Sequence, residues 1–325
     1  MPSCWTSCAT GRADVTVLFS IVLPIFALVG AGWLARQRGW IGAAGAFEMN
    51  RFVVYLAMPA LLFQIMAKST WRELDQPGFI AAFGLASAAI YVLTVVLRRA
   101  GGGALADASL DGLNAAYANV GFIGFPLCLA AFGPSSMTPV TITAILTVCV
   151  LFGVAVTVVE LGVREQGSAW DIAARVGWSL LKNPLLLAPA LGALYAGFAP
   201  PLPEGANRFL TLLAQAASPC ALVALGLFIA EQKARPRLPE LGVQVALKLV
   251  GQPLLTWLLA DRVFHLPPAL TGMAVVLAAL PTGTGPFMLA NMYKREAGGI
   301  AGSILVSTVL SIVTISVLVG WFRTT

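Results

Sequence analysis

Residues 112–159 contain no charged side chain, and this uncharged run limits the possible folds more than any other feature. A membrane-spanning helix needs about 20 predominantly apolar residues, so the run is too long for one span. The turn-forming sequence GPSS at residues 133–136 divides it in two. Only 10% of the whole chain is charged, whereas soluble domains carry about 25% charged residues. The sequence therefore predicts an all-α integral membrane protein.

Charged residues between the apolar segments delimit ten predicted transmembrane helices. The spans lie near residues 15–35, 52–67, 79–97, 113–132, 138–159, 183–199, 209–230, 241–260, 269–290 and 300–322. A short tail, residues 1–14, precedes them and contains Cys4 and Cys8, which match no metal or redox motif.

The positions of the 20 Lys and Arg residues predict the orientation. Lys248 lies inside span 8, and thirteen others follow odd-numbered spans: Arg36, Arg38, Arg51, Arg98, Arg99, Arg164, Arg175, Lys182, Lys233, Arg235, Arg237, Lys294 and Arg295. The remaining six are on the opposite side: Arg12, Lys68, Arg72, Arg208, Arg262 and Arg323. Because cytoplasmic loops are enriched in Lys and Arg, both termini are predicted outside the cytoplasm, in the inner membrane if the cell is bacterial. Topology thus accounts for the net charge of +6, so membrane lipid is an expected partner and nucleic acid is not.

Prolines and glycines recur at a spacing of 160 residues. The matched pairs are Pro24 with Pro184, Gly32 with Gly192, Pro59 with Pro219, and Pro126 with Pro286. The alternative explanation is independent accumulation of proline, which is frequent in membrane helices. A repeat divides the chain into two five-helix halves, residues 15–160 and 183–325, joined by a cytoplasmic linker at 161–182. Because five is odd, the second half enters the membrane from the opposite side, as in many secondary transporters.

The repeat aligns NVGFIGFPL at residues 119–127 with ALPTGTGPF at 279–287. Proline and glycine interrupt helices, and unpaired backbone at membrane depth is tolerated only inside protein or beside a watery cavity. The amino-terminal ends of the resulting half-helices attract anions. We therefore predict that spans 4 and 9 are broken helices and that the two breaks form a cavity at the pseudo-twofold axis, where an anion binds.

These motifs, together with YLAMPALLF at residues 55–63 and KNPLLLA at 182–188, resemble the auxin efflux carrier family. The resemblance covers spans 1 to 10 and implies a carrier for auxin-like or malonate-like carboxylates with an elevator mechanism. It implies a dimer-forming scaffold of spans 1, 2, 6 and 7 and a mobile transport domain of spans 3–5 and 8–10. It places Asn119, Pro126, Pro281 and Pro286 at the crossover. Plant members differ in having glutamine where this chain has Thr282, and in a long loop between spans 5 and 6.

Lys248 is the only Lys or Arg deep within a predicted span, and Gln244 and Gln252 share its helical face. The aligned positions in the first half are Gly84, Ala88 and Val92, all apolar. One interpretation is an ammonium that reaches the cytoplasmic interface; the other, which we favour, is a role in substrate binding or coupling. The predicted substrate-binding residues are therefore Asn119, Gly121, Pro126, Lys248, Gln252, Pro281, Thr282, Gly283 and Pro286.

Enzymatic chemistry is poorly represented. The chain has one histidine, which excludes a multi-histidine metal site, and it has no phosphate-binding loop or nucleophile motif. We expect no cofactor, no metal ion and no enzymatic activity. Sodium-coupled symport of the bile-acid-carrier type is the main alternative, although the span cores contain no carboxylate for sodium. A channel or a membrane receptor is a further alternative.

Overall fold

The computed structural model describes residues 23–24, 27–68, 75–163, 178, 184–198, 202–231 and 238–324. The tail with Cys4 and Cys8, the beginning of the first predicted span, and the linker apart from Trp178 lie outside the described residues.

The described residues are helical apart from short connections. In chain order the helices are α1 (27–37), α2 (Ala43–Lys68), α3 (Pro77–Ala100), α4 (Leu105–Ala116), α5 (Phe125–Phe132), α6 (Met137–Val163), α7 (Pro184–Phe198), α8 (Glu204–Glu231), α9 (Glu240–Val263), α10 (Pro268–Ala278), α11 (Gly285–Met292) and α12 (Gly298–Thr324). Within this part of the chain, six helices are long and apolar enough to cross a membrane, namely α2, α3, α6, α8, α9 and α12. Helix α10 and residues Leu187–Gly197 of α7 are shorter apolar helices. The predicted all-α membrane class is confirmed.

The helices pack in two groups. Helix α2 packs against α7 and α8, and glycines bring the backbones of this group together. A Cβ atom on Gly32 of α1 would lie 2.2 Å from the Val223 carbonyl oxygen of α8, and one on Gly192 of α7 would lie 2.5 Å from the Phe63 carbonyl oxygen of α2. In the second group α4 packs against α3 and α6, while α10 packs against α9 and α12; α3 also contacts α9 and α10.

Two chain segments in the second group leave the helical conformation. Helix α4 ends at Ala116, Tyr117 is extended, and a π-helical turn at Val120–Gly124 leads into α5. Helix α10 ends at Ala278, and the chain becomes helical again only at Gly285. Helices α5 and α11 each have eight residues with a proline in the first turn. In α11, Pro286 lies at the start of the second half-helix, where its missing N–H is not needed for helix hydrogen bonds. The half-helix that contains α5 starts earlier, at Val120, because the π-helical turn continues directly into α5.

Candidate functional site

The two non-helical segments meet in the interior of the molecule. Ala118 and Thr282 form an antiparallel bridge, flanked by hydrogen bonds in which Asn119 N–H donates to the Pro281 carbonyl (2.8 Å) and Gly283 N–H donates to the Tyr117 carbonyl (3.0 Å). Glycine is required at position 285, because a Cβ atom there would lie 2.5 Å from Cζ of the Tyr117 ring. Backbone groups that the broken helices release are thus paired with each other at the crossing.

A cavity of about 450 Å³ lies between this crossing and the helices α2 and α8; we call it the crossing cavity. Its lining residues are Met58, Leu61, Gln64, Ile65, Tyr117, Ala118, Asn119, Val120, Gly121, Phe125, Ala144, Val148, Thr211, Ala214, Gln215, Pro219, Gly283 and Thr284. None of these is charged, and the polar side chains among them are amides and hydroxyls. The turn at Val120–Gly124 begins on the cavity wall, and the first N–H groups of a helical segment have no acceptor within it. The cavity therefore offers neutral hydrogen-bond donors and a positive helix end.

Three of the predicted site residues line the crossing cavity: Asn119, Gly121 and Gly283. Asn119 is buried, whereas Gly121 is exposed, and a Cβ atom added to Gly121 would meet nothing within 4 Å. Pro281 contributes its carbonyl to the crossing. Pro126 and Pro286 are the second residues of α5 and α11. The structure thus groups these residues around the two breaks.

Thr282 is directed away from the cavity into a buried polar network. Its hydroxyl donates to the carbonyl of Asn114 (3.0 Å), and its N–H donates to Oγ of Ser307 on α12 (3.1 Å). The Asn114 amide donates to Oε1 of Gln244 (2.5 Å), and Gln244 Nε2 donates to Asp111 (2.7 Å). The network therefore connects the crossing to α4, α9 and α12.

Lys248 and Gln252 are fully buried on α9 and do not line the crossing cavity. Nζ of Lys248 donates to the Ala278 carbonyl (2.6 Å) and to Oε1 of Gln252 (2.8 Å). Nε2 of Gln252 donates to Oγ of Ser87 (2.9 Å) and to the Ala116 carbonyl (3.2 Å). The ammonium therefore stays inside the bundle instead of reaching an interface, and it lies beside the breaks without opening onto the cavity.

Ion pairs join helices of the second packing group at the end where α4 begins. Arg98 of α3 contacts Asp111 (2.6 Å) and Glu240 of α9 (3.4 Å). Arg295 donates to both carboxylate oxygens of Asp107 in the first turn of α4. This hydrogen bonding raises the pKa of Arg295, because it stabilises the charged guanidinium. These contacts fix α4 relative to α3, α9 and the loop after α11.

Sequence reasoning missed the side of the cavity that α2 and α8 supply. Gln64 of α2 donates to Oγ1 of Thr211 on α8 (2.9 Å), and Gln215 lies one turn further along α8. The available signal was an uncharged polar residue near the matched prolines Pro59 and Pro219 in each apolar segment.

Comparisons with known proteins identify the family. A sequence model of the family described as "Membrane transport protein" matches residues 17–319. The "Putative malonate transporter" of Rhizobium meliloti (strain 1021) is 32% identical over 318 residues, which cover 96% of this chain and 97% of that protein. The "Uncharacterized transporter YfdV" of Escherichia coli (strain K12) is 26% identical over 315 residues, covering 92% and 96%. The "Probable auxin efflux carrier component 5c" of Oryza sativa subsp. japonica is 23% identical over 361 residues, covering 93% and 96%. The resemblance to auxin efflux carriers is confirmed: the chain belongs to the membrane transport protein family and is a membrane transporter rather than an enzyme.

Proposed function

We propose that the protein is a secondary transporter of small organic anions, with a malonate-like dicarboxylate as the first candidate substrate. The observation that carries the proposal is the crossing cavity, which places neutral donors and a half-helix amino terminus around a space of about 450 Å³. Volumes of roughly 300–1,000 Å³ are typical of small-molecule sites. The name of the Rhizobium relative supplies the substrate class.

The contacts between the two halves support an inverted repeat. Helices α5 (Phe125–Phe132) and α11 (Gly285–Met292) begin and end 160 positions apart. Gly32 packs on Val223, and Gly192 packs on Phe63. Gly192 is the counterpart of Gly32 at the offset of 160, and Phe63 is the counterpart of Val223, so each half makes the same contact with the other. Two residues on from the Ala118–Thr282 bridge, the antiparallel register sets Val120 opposite Leu280, and these two positions are also 160 apart. An exchange of partners of this kind is what a twofold axis through the crossing produces.

The two packing groups support an elevator mechanism. Helices α1, α2, α7 and α8 form the scaffold of the proposed homodimer, and α3–α6 with α9–α12 form the transport domain. The crossing cavity lies between them, with α2 and α8 on one side and the broken helices on the other. Sliding of the second group along the first exposes the cavity to each side of the membrane in turn.

The absence of charge among the lining residues of the described chain bears on affinity and on coupling. A dicarboxylate held by amides and a helix end is bound more weakly than by an arginine pair, which favours release on the far side. No lining carboxylate is available to a sodium ion, so a sodium-coupled symporter is the less favoured alternative. A channel is the second alternative and predicts substrate-independent ion current.

Uptake of radiolabelled malonate by proteoliposomes tests the proposal. We expect saturable uptake in either sodium or choline medium. Asn119→Ala removes a donor from the cavity wall and should weaken substrate affinity by about 0.5–1.5 kcal/mol, or up to about 3 kcal/mol for a charged partner, which is roughly 2- to 150-fold. Asn291→Ala is the matched control, because the Asn291 amide donates to the Phe287 carbonyl and does not line the cavity.

Uptake that requires sodium would favour the symporter alternative. Equal affinities for the wild type, Asn119→Ala and Asn291→Ala would remove the crossing cavity as the binding site. A screen of mono- and dicarboxylates by thermal shift identifies the preferred ligand, since a ligand stabilises the state that it binds.

The proposed orientation has its own test in a variant without native cysteines. A single cysteine at Ala104 or near residue 166 should be protected from an impermeant thiol reagent in intact cells, because the Lys and Arg bias makes these loops cytoplasmic. A cysteine at Ala206 should react. Ala104 and Ala206 are both exposed, so accessibility within the protein does not distort the comparison. The opposite labelling pattern would overturn the orientation.

A further inference from the structure

The carboxyl-terminal ends of the two broken helices lie beside the same side-chain pair. Helix α4 ends at Ala116 and α10 ends at Ala278, and both residues are fully buried. The last carbonyl groups of a helix have no partner within the helix, and a buried carbonyl without a partner is costly. Here the Ala278 carbonyl accepts from Lys248 and the Ala116 carbonyl accepts from Gln252. Two residues one turn apart on α9 therefore each supply a donor to one terminal carbonyl, one at each helix end.

Charge explains why one of the two residues is a lysine. Each helix end carries about half a negative elementary charge, so the two ends together carry about one. A single ammonium balances them, one end by direct contact and the other through its hydrogen bond to Gln252. Among the described residues Lys248 takes part in no ion pair with a carboxylate, so the two helix ends are its counter-charge.

The same geometry explains why the first half of the chain has no equivalent lysine. Ala88 occupies the matching position, while Ser87 on α3 accepts the second hydrogen bond of Gln252. Since both helix ends meet at one place, one cation serves both, and a second would be an uncompensated buried charge. The departure from the repeat is thus a consequence of the crossing.

We propose that Lys248 is a built-in cation that holds the carboxyl ends of α4 and α10 together and so positions the crossing. Carriers with broken helices bind coupling ions at half-helix carboxyl ends and unwound carbonyls. Here the ammonium of Lys248, which is part of the chain, occupies the corresponding place. Lys248 is a positioning residue: it acts on the cavity through the two helix ends and does not touch the substrate. A consequence for transport, which rests on the proposed function, is that uptake does not require an added cation to bind at the carboxyl ends of α4 and α10.

The melting temperature of the purified protein without substrate tests the proposal. Lys248→Met keeps most of the side-chain volume and removes the charge, and we expect a melting temperature at least about 5 °C lower than that of the wild type. Lys68→Met is the matched control at an exposed lysine at the end of α2 and should leave the melting temperature unchanged. A Lys248→Met variant that melts with the wild type would overturn the proposal, since packing alone would then hold the helix ends.

Chemical rescue separates charge from general damage. Lys248→Ala leaves room for a small cation with N–H donors, so n-propylammonium chloride should raise its melting temperature, whereas tetramethylammonium chloride, which has no N–H group, should not. The wild type should respond to neither salt. The absence of a gain specific to propylammonium would also overturn the proposal. Because no substrate is present, failure of malonate uptake by the wild type would count against the proposed function alone.

Discussion

Replacing Gly121 by leucine should lower the affinity for substrate by at least about fivefold while leaving the protein folded. Gly121 is exposed on the wall of the crossing cavity, and a Cβ atom there meets nothing within 4 Å. The leucine side chain therefore projects into the cavity of about 450 Å³ that is proposed to hold the substrate. A steric conflict with substrate costs about 1–3 kcal/mol or more, which is roughly a 5- to 150-fold loss of affinity at the least. Initial rates of malonate uptake over a range of concentrations measure the effect.

Gly242→Leu is the control for this experiment. Gly242 lies on α9, is exposed, and has the same open surroundings as Gly121, but it does not line the cavity. Both substitutions relieve the conformational entropy cost of a helical glycine, so both variants should melt at or above the wild-type temperature. Normal uptake by Gly121→Leu would mean that substrate binds elsewhere.

The sequence predicted the broken segments because backbone chemistry dictates them. Proline at positions 126 and 286 fixes φ and removes a backbone donor, whereas glycine at 283 and 285 disfavours a helix because its backbone is freer. The interruption of span 9, residues 279–284, lies within the predicted segment 279–287, whereas that of span 4, residues 117–119, lies at the start of the predicted segment 119–127 and the chain is helical again from Val120. Both breaks could be predicted because segments with proline and glycine occur at aligned positions in both halves of the chain.

Helix starts were predicted too late wherever a helix begins with charged residues. The predicted span 4 begins at residue 113, whereas α4 begins at Leu105, because Asp107 and Asp111 were taken as the edge of the apolar segment. In the structure Asp107 pairs with Arg295 and Asp111 pairs with Arg98. Hydropathy alone does not reveal that these carboxylates are paired, because each partner lies on another element of the fold.

For the candidate site, the sequence predicted the residues at the helix breaks but not the side chains that other helices bring to the cavity. Asn119, Gly121 and Gly283 line the cavity as their place at the breaks suggested. The hydrogen-bond partners of Lys248 depend on where α4 and α10 end in space. The helical periodicity of the sequence predicts only which residues of α9 lie next to Lys248. Gln64 and Gln215 line the cavity because α2 and α8 pack opposite the crossing, which is a tertiary relationship. A neutral glutamine in an apolar helix has many uses, so its type alone indicates no site.

The proposed repeat makes a quantitative prediction about two glycines that are 160 positions apart. Gly32→Ala places a methyl group 2.2 Å from the Val223 carbonyl oxygen, and Gly192→Ala places one 2.5 Å from the Phe63 carbonyl oxygen. Backbone atoms cannot move aside as a flexible side chain can, so α1 must separate from α8 and α7 from α2. Overpacking of this kind costs about 1–3 kcal/mol, occasionally more. Both variants should therefore show clearly lowered melting temperatures, and by similar amounts, because the two contacts are counterparts in the proposed scaffold.

Each variant has a control on its own helix. Gly30 on α1 and Gly197 on α7 are exposed, and a Cβ atom on either meets nothing within 4 Å. Gly30→Ala and Gly197→Ala should leave the stability unchanged or raise it by about 0.5–1 kcal/mol, since alanine is the better helix former. A large loss of stability in only one of Gly32→Ala and Gly192→Ala would argue against equivalent halves. A twofold axis would relate the two close contacts to each other, so they should be equally sensitive to an added methyl group. Equal losses in both, with silent controls, would leave independent accumulation of proline and glycine unable to explain the spacing of 160 residues.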